Sequence, residues 1–186
     1  TGSIFLNGFD VTDLPIYKRS KNGIGYLPQE ASIFRGMNVE DNIKSILEIV
    51  ETDKQVIESN LDQLLTEFDI SHLRRTPSLA LSGGERRRVE IARLLALSPK
   101  MIMLDEPFAA LDILTIKMLQ EIIMNLQSTE EISVVVCDHQ ARDLLSCVDR
   151  AIVLSNGKII ASGTPNEIIK DSSAKSAYFG DEFKIN

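Results

Sequence analysis

Short apolar runs punctuate the chain and predict its strands. Five of them have the length of a strand: residues 4–6, 23–28, 101–104, 132–137 and 151–154. Pro28 closes the second run, because proline cannot donate to a sheet ladder. The dipeptides Asn7-Gly8 and Asn156-Gly157 suit the positive φ angles of tight turns. We therefore expect a hairpin at each place, the second returning as a strand over 158–161.

Apolar residues spaced three and four apart predict the helices. One such stripe begins at Val39 behind a candidate N-cap, Asn38, and a second runs from Val56 to Phe68. No strong strand pattern interrupts residues 30–80. We interpret this block as an inserted helical subdomain that separates a first segment, 1–29, from a last segment, 81–186.

Helical and strand patterns alternate after Ser82. Helices predicted over 83–97, 112–127 and 141–147 separate the apolar runs, and the capping box of Thr164 and Glu167, with Pro165 between them, starts another helix. This alternation indicates right-handed crossovers and a parallel sheet with helices on its faces. The predicted fold class is therefore α/β, with a parallel sheet core and the inserted helical subdomain.

Composition and charge narrow the function classes. The 186 residues carry 20 Lys and Arg against 27 Asp and Glu, a net charge of −7, which argues against a sequence-independent nucleic-acid binder. No apolar run approaches the ~18–20 residues of a membrane span, and the start turns polar too early for a signal peptide. The two cysteines are too few for a disulfide scaffold and fit reduced thiols in a cytosolic protein.

Two carboxylates, Asp105 and Glu106, directly follow the apolar run 101–104. Sheets of the α/β class place their ligands at the carboxyl ends of parallel strands. Mg²⁺ at such a place takes a carboxylate, several waters and nucleotide phosphates. In this interpretation Asp105 orders the metal and Glu106 polarises an attacking water. A solvated acidic turn gives the same pattern, so the pair alone leaves both interpretations open.

The segment Leu81-Ser82-Gly83-Gly84-Glu85 precedes an amphipathic helix. Its glycines let backbone amides face an anion, the helix N-terminus adds positive potential, and Ser82 can donate to a phosphate oxygen. Ser82 and Glu85 also fit a plain capping box. A cap does not account for two successive glycines, each of which lowers helix propensity by roughly 1 kcal/mol. Phosphate binding is therefore the favoured interpretation.

Weaker signals come from Gln29, from His139 and from the arginines at 86–88. Gln29 follows Pro28 at the junction of sheet and helical block, and His139 follows the run 132–137, whose end we expect beside Asp105. Gln29 could coordinate Mg²⁺ or water and move with the helical block, or be only a polar loop residue. His139 could contact a γ-phosphate, or be only a structural or solvated histidine. The arginines at 86–88 spread around roughly 200° of a helix, so they are predicted to be separate salt-bridge or surface residues.

Together these elements resemble the ATP-binding subunit of ABC transporters over essentially the whole chain. The matching motifs, in chain order, are the Q-loop at Gln29, the signature motif at Leu81–Glu85, Walker B at Met101–Glu106, the D-loop at Ala109–Asp112 and the switch histidine at His139. The order and spacing of five motifs make chance agreement negligible. Finer matches at 23–35, 81–93, 105–109 and 178–183 resemble ATPases of lipopolysaccharide-export systems, with branched-chain amino-acid importer ATPases as the nearest alternative.

The resemblance implies an ABC-type, P-loop NTPase-like fold and ATP hydrolysis with Mg²⁺. By the same resemblance Glu106 is the general base, His139 senses the γ-phosphate, and Asp105 and Gln29 hold the metal. The residues implied to contact nucleotide are Gln29, Ser82, Gly83, Gly84, Glu85 and Asp112.

The implied partners follow from the same resemblance. They are a second copy of the chain, arranged head to tail, and integral membrane permease subunits. The ATPase is then cytoplasmic, on the inner face of the inner membrane, and touches the membrane only through its partners. Residues Glu30–Arg35 are the expected contact edge, and lipopolysaccharide is the implied cargo.

The chain departs from the family pattern in two places. Ile113 follows Asp112 where the family usually has proline, which affects the start of the following helix. More importantly, no G-x-x-x-x-G-K-[ST] occurs in the 186 residues, and no aromatic precedes one to stack on adenine. We therefore expect an N-terminally truncated domain, with Walker A upstream of Thr1 and with apolar surface exposed.

Two rival classes remain at this point. One is a soluble ABC-type ATPase of DNA repair or translation; such proteins usually carry coiled-coil insertions or tandem cassettes, and this chain has neither. The other is a catalytically inert fragment that binds a partner through an exposed dimer face. Co-purification with a permease, or instead with nucleic acid or ribosomes, separates these classes.

The missing phosphate loop predicts that the isolated 186-residue chain binds ATP poorly or not at all. The lysine and the backbone amides that cradle the β- and γ-phosphates in this family are not in the sequence. Calorimetric titration of the chain with ATP and Mg²⁺ measures this directly. Tight, Mg²⁺-dependent binding would contradict the prediction.

Overall fold

The computed structural model describes residues 2–128 and 132–179. Its strands are β1 (Phe5–Leu6), β2 (Phe9–Asp10), β3 (Ile24–Leu27), β4 (Met101–Asp105), β5 (Ser133–Cys137), β6 (Ala151–Ser155) and β7 (Lys158–Gly163). Its α-helices are α1 (Ile16–Lys21), α2 (Val39–Val50), α3 (Lys54–Glu67), α4 (Gly83–Leu95), α5 (Ile113–Ser128), α6 (Ala141–Leu145), α7 (Pro165–Lys170) and α8 (Ser172–Ala174). Short 3₁₀ turns lie at Ser71–Leu73 and Ser78–Ala80, and a π-helical turn at Lys175–Phe179.

A parallel sheet in the order β3-β4-β5 forms the centre of the fold and confirms the predicted α/β class. Leu27 pairs with Leu104, and Asp105 pairs with Cys137. The carboxyl ends of the three strands therefore lie side by side, as expected for His139 and Asp105.

The two faces of this sheet differ sharply in burial. Ile102 and Leu104 point into the main core, where they meet apolar residues of α4 and α5. Tyr26, Met103 and Val135 share one register row on the opposite face, and each is exposed by more than two fifths. The described residues thus leave one face of the sheet uncovered, in line with the expected exposed apolar surface.

The block 30–80 is helical, as predicted, and its helices begin at side-chain caps. Asn38 accepts from the amide of Asp41 at the start of α2, and Asp53 accepts from the amides of Gln55 and Val56 at the start of α3. Satisfying these otherwise unpaired amides is what fixes the two helix starts. The side chain of Arg74 bonds to Glu40 of α2 and to Asp62 of α3 and so ties the block together.

The helical block shares its core with the sheet. Val39, Ile43 and Leu61 belong to the same buried cluster as Ile102 and Leu104. The boundaries 1–29, 30–80 and 81–186 therefore remain predictions.

The prediction that the apolar run 151–154 joins the parallel sheet is wrong. In the described residues β6 pairs with β7 in an antiparallel hairpin and is not a strand of the parallel sheet. The reason lies in its packing: Ile152 and Leu154 face solvent, and the opposite face meets α7 through Ala161 and Ile168. An apolar run alone does not say which sheet a strand joins.

Other predicted elements hold with small changes. Both Asn-Gly turns form, with φ angles of 48° and 83° at Asn7 and Gly8. Thr164 and Glu167 make the predicted capping box. Helix α1 was not predicted, because it buries none of its residues and so lacks an apolar stripe. The matched residues 180–183 lie outside the described part of the chain.

None of the helices within 2–128 and 132–179 is both long and apolar enough to span a membrane. Cys137 and Cys147 are both free; the first is exposed and the second buried. Burial raises the pKa of the Cys147 thiol to about 11.

The contrast between the faces of β4 predicts very different costs for truncating two neighbouring residues. Leu104→Ala should lower the free energy of unfolding by about 2–5 kcal/mol, because it leaves a cavity in the core. Met103→Ala, on the uncovered face of the same strand, is the matched control and should cost less than about 1 kcal/mol. Urea unfolding followed by circular dichroism measures both. Equal costs would mean that the uncovered face is packed after all.

Candidate functional site

The turn after β4 carries the candidate catalytic carboxylate. Glu106 has a left-handed φ of 43°, and its amide donates to the carbonyl of Cys137 at 2.7 Å. This bond extends the pairing of β4 and β5 by one step before the chain turns away. The non-glycine left-handed conformation costs about 1 kcal/mol or more.

The side chains of Gln29 and His139 meet at one oxygen of Glu106. Gln29 Nε2 donates to Glu106 Oε2 at 2.7 Å, and His139 Nδ1 lies 3.5 Å from the same oxygen. These three residues come from the ends of the three parallel strands. The structure therefore brings together three of the residues that the sequence singled out.

Asp105, the candidate metal ligand, has a different neighbour. Its Oδ2 accepts a hydrogen bond from the hydroxyl of Tyr26 at 3.1 Å, and this bond raises the pKa of Tyr26. Tyr26 was not singled out in the sequence, since it falls inside an apolar run. Tyr26 lies on the neighbouring strand β3 and pairs with Met103, two residues before Asp105, which explains the contact.

Asp138 was not singled out, although it holds the loops of the site. Its side chain is fully buried and accepts from the amides of Phe108 and Gln140 at 3.1 and 2.8 Å. The hydroxyl of Tyr178 donates to the carbonyl of His139 at 2.7 Å. The one available signal was that Asp138 directly precedes His139 at a strand end, where aspartate often bonds to nearby amides.

Ser82 and Glu85 form the plain capping box in this structure. The amide and the hydroxyl of Ser82 both donate to Glu85 Oε2 at 2.7 Å, and these bonds hold the pKa of Glu85 below its ordinary value. The amides of Gly83 and Gly84 donate to no group among the described residues. They are the donors that remain available to an anion at the start of α4.

Close packing explains one of the two glycines and corrects part of the sequence argument. A Cβ at Gly84 would lie 2.8 Å from Oγ1 of Thr115, closer than real contacts allow. A Cβ at Gly83 would lie 3.8 Å from Leu111, an ordinary contact. Phosphate binding is therefore not needed to account for Gly84.

Asp112 caps the helix that packs on Gly84. It accepts from the amides of Leu114 and Thr115 at 3.0 Å and from the Thr115 hydroxyl at 2.6 Å, and these bonds lower its pKa. Ile113, the departure from the family pattern, takes the first helical position and is exposed. The start of α5 is thus formed without proline.

The predicted site residues fall into two groups. Gln29, Asp105, Glu106 and His139 lie at the strand ends, whereas Ser82, Gly83, Gly84, Glu85 and Asp112 lie where α4 and α5 begin. No hydrogen bond or ion pair between described residues joins the functional side chains of one group to those of the other. Arg87 of α4 reaches the strand ends instead, through the backbone carbonyl of Asp105.

The oxygen-rich strand ends suit a hard cation. The carboxylate of Asp105 and the amide oxygen of Gln29 are ligands that suit Mg²⁺ when phosphates and waters complete its coordination shell. Within 2–128 and 132–179, no group of three or more His, Cys, Asp and Glu side chains could hold a metal by itself.

Comparisons with known proteins agree on one family. Residues 1–109 match the family model described as ABC transporter. A probable ABC transporter ATP-binding protein of Azorhizobium caulinodans is 48% identical over 99% of the chain, which spans 65% of that relative's length. The lipopolysaccharide export system ATP-binding protein LptB of Haemophilus influenzae is 45% identical, with 99% of this chain and 76% of that protein covered.

A solved structure supports the fold. The structure of cbiO1 from Clostridium perfringens, part of the ABC transporter complex cbiONQ, matches with a TM-score of 0.82 and 23% identity. The match covers 95% of this chain and 71% of that one. The two chains therefore share their fold.

The contact of Gly84 with Thr115 predicts opposite effects at the two glycines. Gly84→Ala should destabilise the protein by about 1–3 kcal/mol through overpacking. Gly83→Ala is the matched control and should be neutral or stabilising by up to about 1 kcal/mol, because alanine favours the helix. Thermal unfolding measures both. A Gly84→Ala variant as stable as the parent would contradict the packing explanation, and a smaller cost in a Thr115→Ala background would support it.

Proposed function

This chain belongs to the ABC transporter family of ATP-binding subunits, and from that premise we propose that, as part of the full-length protein, it contributes to the binding and hydrolysis of ATP that drives transport. The observation that carries the proposal is the convergence of Gln29 and His139 on one oxygen of Glu106. A carboxylate that accepts from Gln29 and lies close to His139 at the carboxyl end of a parallel sheet is placed to activate water.

In this proposal each residue at the strand ends has one role. Glu106 takes a proton from the attacking water, and His139 contacts the γ-phosphate. Asp105 and Gln29 hold Mg²⁺, which neutralises charge on the phosphates when bound. Gln29 would bind the metal through its amide oxygen, since its Nε2 is the atom that donates to Glu106.

We propose that, in the full-length protein, the start of α4 binds the phosphates of a nucleotide held mainly by a second copy. The free amides of Gly83 and Gly84 and the hydroxyl of Ser82 are its donors, at a helix N-terminus that favours negative charge. Glu85 would yield Ser82 to the phosphate on binding, and Asp112 contacts the same nucleotide from the start of α5.

The edge Glu30–Arg35 is the proposed contact with a membrane permease. Phe34 is exposed by 42%, and the guanidinium of Arg93 lies 4.5 Å from the centre of its ring. An exposed aromatic on a supported loop next to Gln29 is a suitable place for a partner to act on the site. The protein would then lie on the cytoplasmic face of the inner membrane and reach the membrane only through that partner.

Lipopolysaccharide is the proposed cargo. The support is the 45% identity with the LptB protein of Haemophilus influenzae over nearly the whole chain. The name of the more similar Azorhizobium caulinodans relative states no cargo. Co-purification of the full-length protein with a permease that carries lipopolysaccharide tests this proposal, and co-purification with an amino-acid permease would refute it.

Glu106→Gln in the full-length protein tests the catalytic proposal. Removing the base should lower kcat for ATP hydrolysis by about 10²–10⁴-fold. Nucleotide affinity should change little, because the amide keeps the shape of the carboxylate. Glu121→Gln, on an exposed position of α5, is the matched control and should leave kcat within about twofold. Unchanged hydrolysis in Glu106→Gln would refute the base assignment.

A further inference from the structure

A buried ion pair lies on α4, one turn beyond the proposed phosphate-binding start of the helix. Arg87 and Glu90 are 6% and 3% exposed, and Arg87 Nη1 lies 3.3 Å from Glu90 Oε2. Burial lowers the pKa of Arg87, and the neighbouring charge of Glu90 opposes that effect. Burying two charges is costly, so such a pair is retained where its remaining hydrogen bonds are used.

Arg87 bonds to the backbone just before each of two proposed functional residues. Its Nη1 donates to the carbonyl of Pro28 at 3.0 Å, and its Nη2 donates to the carbonyl of Asp105 at 3.1 Å. Gln29 and Glu106 follow these two carbonyls directly in the sequence. One planar guanidinium therefore fixes the ends of β3 and β4 relative to each other and to α4.

Glu90 holds the other side of the same loop. Its Oε1 accepts from the amides of Ser32 and Ile33 at 2.7 and 3.2 Å. The ion pair thus binds the backbone on both sides of Gln29. Arg93, a further three residues along the helix, donates to the carbonyl of Ser32 at 2.7 Å and strengthens the attachment.

We infer that Arg87 and Glu90 are positioning residues that clamp the Gln29 loop and Glu106 to α4 for hydrolysis. The inference rests on the proposed function, and it assigns a mechanical role to two residues that touch neither nucleotide nor metal. A lysine cannot replace Arg87 in this role, because its single ammonium lacks the planar fork that reaches both carbonyls.

Two conservative variants of the full-length protein test the clamp. Arg87→Lys keeps the positive charge and loses the fork, whereas Glu90→Gln keeps an acceptor oxygen and loses the charge. Arg86→Lys is the matched control on the same helix, since Arg86 makes no side-chain hydrogen bond within the described residues. If Arg87→Lys does not fold, Glu90→Gln carries the test.

Amide hydrogen exchange and steady-state kinetics are measured for each variant. We expect exchange in residues 28–34 to rise at least about fivefold, with the amides of α4 itself unchanged. We expect kcat to fall by about 10–100-fold with ATP affinity within about twofold, since small misplacements of catalytic groups have effects of that size. The Arg86→Lys control should alter neither quantity.

The outcomes separate this inference from the proposed function. Unchanged exchange in residues 28–34, or raised exchange throughout α4 as well, overturns the clamp. Raised exchange in 28–34 with unchanged kcat also overturns it, because the loop then moves without affecting hydrolysis. A parent protein that hydrolyses no ATP refutes the proposed function, and the exchange measurement then decides by itself whether the pair holds the loop.

Discussion

The parallel pairing of β3, β4 and β5 is the constraint on which the rest of the site depends. Its register aligns the ends of three strands that are far apart in the sequence, and the bond between the Glu106 amide and the Cys137 carbonyl continues it beyond β4. Because the strands end together, side chains from three loops can reach one oxygen. A register shift of one residue would turn Asp105 to the buried face.

Helix α4 uses each side of its surface differently. Gly84 admits Thr115 of α5, Arg87 and Glu90 face the strand ends, and Arg88 bonds to the carbonyls of Phe68 and Asp69 after α3. The run of three arginines is therefore no basic patch, as its helical spread predicted. Arg87 and Arg88 instead donate hydrogen bonds to different backbone carbonyls.

The sequence predicted most elements because their signals are local. Caps at Asn38 and Thr164, the Asn-Gly turns and the apolar stripes depend on neighbouring residues alone. The position of β6 outside the parallel sheet of the described residues, the bond from Tyr26 to Asp105 and the buried position of Arg87 depend on residues distant in the chain. Residue types and their spacing carry no information on such contacts, so motifs located the site and packing supplied its supporting residues.

The two cysteines should react very differently with thiol reagents. Cys137 is exposed and pairs with Asp105 across the sheet, whereas Cys147 is buried with a thiol pKa of about 11. Thiol reagents attack through the thiolate, which Cys147 scarcely forms at neutral pH. A fluorophore or spin label will therefore attach at Cys137, and without any engineered residue it will report on the strand ends where nucleotide chemistry is proposed.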